Sequence, residues 1–467
     1  MRYFVDISSV HAGSWEPPRG VTRLEYNVAR EALALGAELV RFDEALQGFV
    51  RASLPAHFGR APDPVKLLLT GSPTVRTPFL RRRIVKRARA LGEFLAKGSI
   101  AAPETEAETA RRELAWLLAH NYEFLPVTER FELAALAQAL APDQLCHDFN
   151  YWVMGERERR ASLKESTPAE PIDFRFEDKL LSLGAIWKPT YVTSLEKLAL
   201  QGVTVIVLIH DMIPVTHPGF LPTEELDRFK TYLERMLKSD VLLTTTSQFS
   251  QKEITRYCRE TLGLARDVAV TPLASSASTD CAAASAKILD ARLQGSRFVL
   301  MAGSFEPRKN QKFLIELWSS VAPRLGDPPA LVFAGGLAKA SYLKELQREA
   351  RDLDRVFFFF NVDDEELAWL YENCLFTVFP SEAEGWGLPI TEALDRGKYC
   401  LASDNTPLRE ADEQLVFHAA LQDRRAWMDE LYTLLSDPHA LEKRTKRVRE
   451  MHRTRTGADV TRAMMAL

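Results

Sequence analysis

Cysteine is scarce in this chain and poorly placed for chemistry. The 467 residues hold five of them, Cys146, Cys258, Cys281, Cys374 and Cys400, odd in number and without a CxxC pair. A disulfide framework or a cysteine-based zinc site is therefore not expected, and a reducing cytoplasm suits the set. No HExxH and no Cys/His cluster occurs, so no structural or catalytic metal is expected. Long hydrophobic runs are missing as well: segments such as Val203–Ile209 are far too short to span a bilayer. The opening MRYFVD enters a strand-like run without the charged, apolar and cleavage regions of a signal peptide. Neither sign of charge is in excess, since the formal net charge is −4, and no basic field points to a nucleic-acid partner. No short-period repeat is visible. What is present is the composition of a globular protein, 46% hydrophobic and 27% charged, which argues against disorder. Its length suits two α/β domains of roughly 200 residues each.

The order of segments agrees. Tyr3-Phe4-Val5 reads as a strand, Asp6 to Gly20 as a polar loop with glycine and proline, and Val21, Leu24, Val28 and Leu33 as one face of a helix. A second strand is expected at 38–42. From about 48 to 166 the pattern is hard to read and includes a charge-rich insertion. Alternation resumes at 179–183. Val203–Ile209 is continuous and β-branched, as in a strand buried on both faces. Helices are expected at 223–237 and 247–258, with a strand between them at 241–246. A stretch rich in Ala, Ser and Thr near 274–296 reads as a linker. A second βα series follows: strands at 298–302, 330–334, 356–360, 375–379 and 399–402, helices at 311–321, 363–372 and 388–396, and a polar helical end from 424. Repeated βα units predict parallel sheets covered by helices, with ligands outside the C-terminal strand ends.

The most specific segment is Phe379-Pro-Ser-Glu-Ala-Glu-Gly-Trp-Gly-Leu-Pro-Ile-Thr-Glu-Ala393, placed after a strand and leading into a helix. Gly385 and Gly387 allow close backbone approach to a ligand, and amides at the helix start can receive an anion. Glu384 and Glu392, eight residues apart, place one carboxylate in the loop and one in the helix. A second loop, Met301-Ala-Gly-Ser-Phe-Glu-Pro-Arg-Lys-Asn310, offers Gly303 for a tight turn and Arg308 and Lys309 for a phosphate. In the first half, His210 and Asp211 follow the buried strand within Leu208-Ile-His-Asp-Met-Ile-Pro-Val215.

These motifs resemble the retaining family 4 glycosyltransferases of the GT-B fold, in particular their mannosyltransferase-like members. Glu384 and Glu392 look like the EX7E signature, with Pro380, Ser381, the EGWGLP run and Gly397 around it. The resemblance implies two facing Rossmann-like domains with parallel sheets. It implies that Glu384 faces the donor sugar and Glu392 the nucleotide ribose. Gly385, Trp386, Gly387 and Leu388 would line the donor site with Gly303 and Ser304. Relatives often carry arginine where this chain has Ser304, so the phosphate contact is expected to rest mainly on Lys309, then on Arg308. His210 is expected near the donor sugar, with Asp211 orienting it or capping the turn; the plain alternative is a histidine satisfied by local backbone groups. Gly20 and Arg23, in the loop and helix start after the first strand, are candidates for the phosphate or acceptor side.

The implied activity is transfer of a hexose, mannose from GDP-mannose, to a hydroxyl of a bacterial lipopolysaccharide or exopolysaccharide. No cofactor is expected beyond the nucleotide sugar itself as donor substrate. The acceptor would be a glycan or lipid-linked glycan. A UDP- or dTDP-sugar donor, an inactive sugar- or nucleotide-binding scaffold, a phosphorylase and an epimerase are the alternatives. The expected layout is an acceptor-side domain at 1–273 with an insertion near 48–166, a linker at 274–296 and a nucleotide-sugar domain at 297–445. A last helix at 446–467 is expected to pack back on the first domain. The basic run Arg81–Arg89 is either a solvated helix face or a contact with an anionic membrane, which would place a cytoplasmic protein peripherally at the inner face. Asp352-Leu-Asp354 has a DxD form but sits in a polar stretch and reads as surface charge.

Overall fold

The computed structural model describes residues 1–12, 20–54, 170–274 and 293–467, apart from positions 294, 337, 339, 361 and 363. The basic run at 81–89, nearly all of the expected insertion and most of the expected linker lie outside the described residues. Two sheets share one compact unit, Met1–Gly13, Pro18–Ala56 and Pro168–Leu467.

The first sheet contains β1 (Tyr3–Asp6), β2 (Glu38–Asp43), β3 (Gly48–Arg51), β4 (Lys179–Ser182), β5 (Thr204–Ile209), β6 (Leu242–Thr245) and β7 (Val268–Val270), in the order β3-β2-β1-β4-β5-β6-β7. All neighbours are parallel except β3, which runs antiparallel to β2 with Phe49 opposite Phe42. β5 is central, and Val205 to Ile209 are at most 1% exposed, which explains its unbroken apolar run. The helices Pro189–Leu200 and Thr223–Lys238 pack over it through Tyr191, Leu195, Phe229, Leu233 and Met236.

The second sheet contains β8 (Phe298–Ala302), β9 (Ala330–Gly335), β10 (Val356–Phe360), β11 (Thr377–Phe379), β12 (Cys400–Ser403) and β13 (Val416–Ala419), in the order β10-β9-β8-β11-β12-β13. Every pairing in it is parallel. The strand order turns back between β8 and β11 here, and between β1 and β4 in the first sheet. Such switch points open a crevice at the C-terminal strand ends, where ligands bind in open parallel sheets.

Three strands depart from the expected pattern. Gly48–Arg51 belongs to the sheet and not to the insertion, and β7 and β13 were not foreseen. Each is three or four residues long, too short for alternation to be read. The helix Gly457–Ala466 opens on a capping box between Thr456 and Asp459. It packs on the helix Gly20–Ala34 and on β4, and Met465 O accepts a 3.2 Å hydrogen bond from Lys179 Nζ. Glu410 also ties the two sheets' surroundings together, accepting from the Gln248 and Phe249 amides at 2.6 and 2.7 Å, at the start of the helix Gln248–Tyr257.

A buried acid sits at the end of β1. Asp6 is 1% exposed and accepts hydrogen bonds from the Ser8 amide and from the Tyr191 hydroxyl. Burial pushes its carboxyl up to about 6, against the pull of those hydrogen bonds. Glu25, also fully buried, is raised well above the usual range by burial and by Asp6. The sign of the consequence is fixed. Below about 4 Asp6 is protonated in both states; between about 4 and about 6 only the unfolded chain ionises, and the fold loses stability. Asp6→Asn is therefore expected to lose less stability than wild type across that window, by on the order of 3 kcal/mol. Denaturant unfolding at stepped pH measures it, and identical pH slopes for the two proteins would contradict it.

Candidate active site

The loop after β11 holds Glu384, and the loop after β8 holds Arg308 and Lys309. The second loop fits against β9 because β9 ends in glycine: a Cβ on Gly335 would lie 2.1 Å from the Gly303 carbonyl oxygen. The Gly303 amide bonds Ala334 O at 2.8 Å, and the Phe305 amide bonds Gly336 O at 2.8 Å. Pro307–Lys309 then forms a 3₁₀ turn, and Asn310 takes φ +62° before the helix Gln311–Val321 begins. That turn carries Lys309 inward, where it is 7% exposed.

Lys309 Nζ donates to Glu384 Oε1 at 2.6 Å, and Arg308 stands 3.2 Å from Glu384 Oε2. The Ser381 hydroxyl donates to Glu384 Oε1 at 2.5 Å. Arg308 also reaches Glu306 at 2.9 Å and the Ala383 carbonyl at 3.1 Å. Burial alone would raise the Glu384 carboxyl, but the charges of Lys309 and Arg308 and the hydrogen bonds from Lys309 and Ser381 outweigh it. Glu384 is held below the usual carboxylate range. Burial and the neighbouring Arg308 draw the Lys309 ammonium down, against the attraction of Glu384. The Lys309 ammonium also lies 4.9 Å from the centre of the Phe379 ring. Arg308 pairs with two carboxylates and lines the cleft described below. The Ser304 hydroxyl is engaged by Glu306.

Gly385 marks a close approach between the two halves. A Cβ there would stand 2.8 Å from Asp211 Cβ and 2.9 Å from the His210 carbonyl oxygen. Gly387 has φ +112° just before the helix Leu388–Asp395. Trp386 is 7% exposed, with its indole nitrogen buried and without a partner.

His210 Nε2 lies 2.7 Å from Leu183 O. A carbonyl only accepts, so Nε2 carries the proton. Burial lowers the imidazole's pKa, opposed by Leu183 and Asp211, so the ring is neutral and Nδ1 is left as an acceptor. The backbone partner of His210 is thus distant in the chain, 27 residues away, and not a local group of its own turn. Asp211 accepts from the Ile213 amide at 2.9 Å, and its carboxyl is raised by burial, with Arg308 and His210 opposing.

Arg23 meets the second sheet's side at a different place. Its guanidinium, on a residue 7% exposed, pairs with Asp364 and lies 3.4 Å from Glu392 Oε1. The Tyr371 hydroxyl donates to Glu392 Oε2 at 2.8 Å. Arg23 is therefore grouped with Glu392 and not with Lys309. Gly20 lies at the start of its helix, where an added Cβ would be 3.5 Å from Leu388 Cδ1. Sequence reasoning missed Glu306, Asp364 and Tyr371. Glu306 stands in the same motif as Arg308 and was open to notice; Asp364 and Tyr371 carry no local pattern.

A cleft of about 300 Å³ opens beside this group. His210, Asp211, Glu306 and Arg308 line it, together with apolar side chains that follow β4 and β5. Among the described residues no group of His, Cys, Asp or Glu is placed to hold a metal, and no helix is long and apolar enough to cross a membrane. Asp352 and Asp354 are exposed in a turn. Chemically, the cluster sets two cations beside one fixed carboxylate at a switch point, an arrangement able to hold an oxyanion against a polar substrate.

The family model for glycosyl transferases group 1 matches residues 290–451, the segment carrying β8 to β13, both loops and both glutamates. The chain carries a group 1 glycosyltransferase domain. It is 28% identical over 213 residues to the O-antigen chain mannosyltransferase B of Escherichia coli, covering 44% of this chain and 54% of that protein. It is 25% identical over 245 residues to the serotype-specific mannosyltransferase WbdA of Escherichia coli, covering 49% of this chain and 29% of that one. The chain thus spans about half the length of the first of these curated relatives, and less of the second. Among solved structures, an α,α-trehalose-phosphate synthase (UDP-forming) from Burkholderia vietnamiensis aligns with a TM-score of 0.51 over 100% of this chain and 99% of that one, at 13% identity. That likeness is one of fold, and with the two mostly parallel sheets it makes this glycosyltransferase domain part of a GT-B architecture.

Proposed function

We propose that the chain is a retaining hexosyltransferase that moves mannose from GDP-mannose to a hydroxyl of a growing bacterial glycan of the lipopolysaccharide or exopolysaccharide kind. The buried Lys309–Glu384–Arg308 group at the switch point of the second sheet carries this reading. The mannosyl part is supported by the relatives' names. In this mechanism the diphosphate docks against the β8 loop, where Lys309 and Arg308 stabilise the charge that develops as it leaves. Glu384 and His210, through the free Nδ1, position the donor sugar. Glu392 takes ribose hydroxyls, sharing its carboxylate with Tyr371 and Arg23. The acceptor hydroxyl enters from the cleft, and the β-phosphate takes its proton, so that orientation and fixed charge supply the acceleration.

Calorimetric binding of GDP, UDP and dTDP to wild type and Glu392→Ala tests the nucleotide half. A carboxylate that reads ribose makes GDP bind roughly 10- to 100-fold more weakly to the variant, the range of a hydrogen bond to a charged group. It also leaves dTDP, which lacks the 2′-hydroxyl, less affected. Absence of nucleotide binding to wild type would sink the assignment.

A further inference from the structure

The cleft beside the charged group is chemically lopsided. His210 and Asp211 enter it from the turn after β5, and Glu306 and Arg308 from the β8 loop, and these four form one polar corner. The rest of the wall is different. Ile213 and Pro214, in the short helix Ile213–Thr216, are both buried. Phe220 and Leu221 follow in the next turn, half-buried, and Phe229 comes from the helix Thr223–Lys238. Phe229 packs edge-on against Trp187 with ring centres 5.1 Å apart. Among its side chains only Trp187 and Tyr232 carry a polar group, one indole N–H and one hydroxyl, which offer few hydrogen bonds between them.

A fully hydroxylated hexose has hydroxyls all round its ring and on its exocyclic carbon. Seated here, it can satisfy the reacting hydroxyl and its neighbours at the polar corner. The hydroxyl turned to Ile213, Leu221 and Phe229 would be desolvated without a partner, which costs about 1–3 kcal/mol. A methyl group at the same place is favoured, because it removes apolar surface from water on both sides.

We propose that the acceptor sugar held in this cleft is a 6-deoxyhexose, its methyl group seated against Ile213, Phe220, Leu221 and Phe229. This rests on the transferase reading above and adds to it the chemical class of the acceptor. The polar corner fixes which hydroxyl reacts, while the apolar wall selects the residue that carries it.

The experiment uses a matched pair, octyl α-D-mannoside and octyl 6-deoxy-α-D-mannoside, which differ by one hydroxyl. Both are titrated into the full chain saturated with GDP, with binding and saturation transfer read by ligand-observed NMR. Apolar pockets reject an added hydroxyl only moderately, so the 6-deoxy compound is expected to bind about 10- to 100-fold more tightly. Its methyl protons are expected to be the most strongly saturated of its sugar protons. Leu221→Asn, at the half-buried rim, is expected to erase the preference while the melting temperature and GDP affinity stay unchanged. Equal or tighter binding of the mannoside, weak saturation at the methyl, or no binding of either glycoside while GDP is bound would overturn the proposal and leave the nucleotide site standing. Loss of GDP binding itself would strike the transferase reading instead. If Leu221→Asn unfolds, Phe220→Ser in the same turn gives the same readout.

Discussion

Glu384→Gln is expected to lower kcat by about 10²- to 10³-fold, the cost of removing one preorganised electrostatic contact from such a site. The affinity for nucleoside diphosphate should change only a few-fold. The substitution keeps the size of the side chain and removes its charge, so the effect isolates the carboxylate. In the folded chain that carboxylate neutralises Lys309 at 2.6 Å and Arg308 at 3.2 Å, all three being largely buried. Without it, two cations face each other in a desolvated loop. Removing one partner from a buried pair costs about 3–5 kcal/mol, because the charge left behind is uncompensated. Lys309, already drawn down by burial and by Arg308, would then shed its proton more readily. The leaving diphosphate would lose a charge it needs. Stability and chemistry separate in the double variant Glu384→Gln with Lys309→Met. Replacing the Lys309–Glu384 pair is close to neutral for stability, and Arg308 keeps Glu306 at 2.9 Å, so most of the melting temperature should recover while turnover does not. The measurement is thermal unfolding and single-turnover kinetics on the two variants. Recovery of turnover in the double variant would show that the pair serves the fold alone.

Much of this arrangement is legible in the sequence because it is local. Glu384, Gly385 and Gly387 share one strand-to-helix loop, and Gly303, Arg308 and Lys309 share another. Both loops follow runs of apolar residues whose strands are buried, so their place at the C-terminal strand ends follows from the βα alternation. What is not legible is whatever depends on residues distant in the chain. Arg23 and Glu392 are separated by 369 residues, and their approach is a product of how the two sheets meet. The same holds for Tyr371 on Glu392 and for the Leu183 carbonyl on His210, where nothing in either segment names its partner. Short edge strands fail for another reason: Val268–Val270 is stabilised by its pairing with β6 and not by a pattern of its own. The apolar wall of the cleft lies between these cases. Ile213, Phe220 and Phe229 are visible as apolar residues, but only folding shows that they line an opening and do not fill a core.

Gly385→Ala is expected to reduce kcat/KM by about 10²-fold or more while the chain still folds. The reason is geometric. The new methyl would stand 2.8 Å from Asp211 Cβ and 2.9 Å from the His210 carbonyl oxygen, both closer than carbon atoms are found in proteins. One neighbour is main chain at the end of β5, which is buried and paired on both sides, so it cannot swing away like the tip of a long side chain. Thr246 adds to the constraint, its hydroxyl lying 3.0 Å from the His210 carbonyl and 3.1 Å from that of Gly385. Relief must come from the loop after β11, which moves Glu384 away from Lys309, or from a slight parting of the two halves, which moves His210 and Asp211 away from Arg308. Either displacement is a fraction of an ångström to an ångström, and misplacement of that size at reacting groups costs about 10²-fold. The stability cost of overpacking one methyl is smaller, about 1–3 kcal/mol. Nucleotide binding should change little, since Glu392 lies in the following helix. The decisive comparison is kcat/KM against the affinity for GDP in the same preparation. Turnover within a few-fold of wild type would mean that the contact between these backbones is not needed to align the reacting groups.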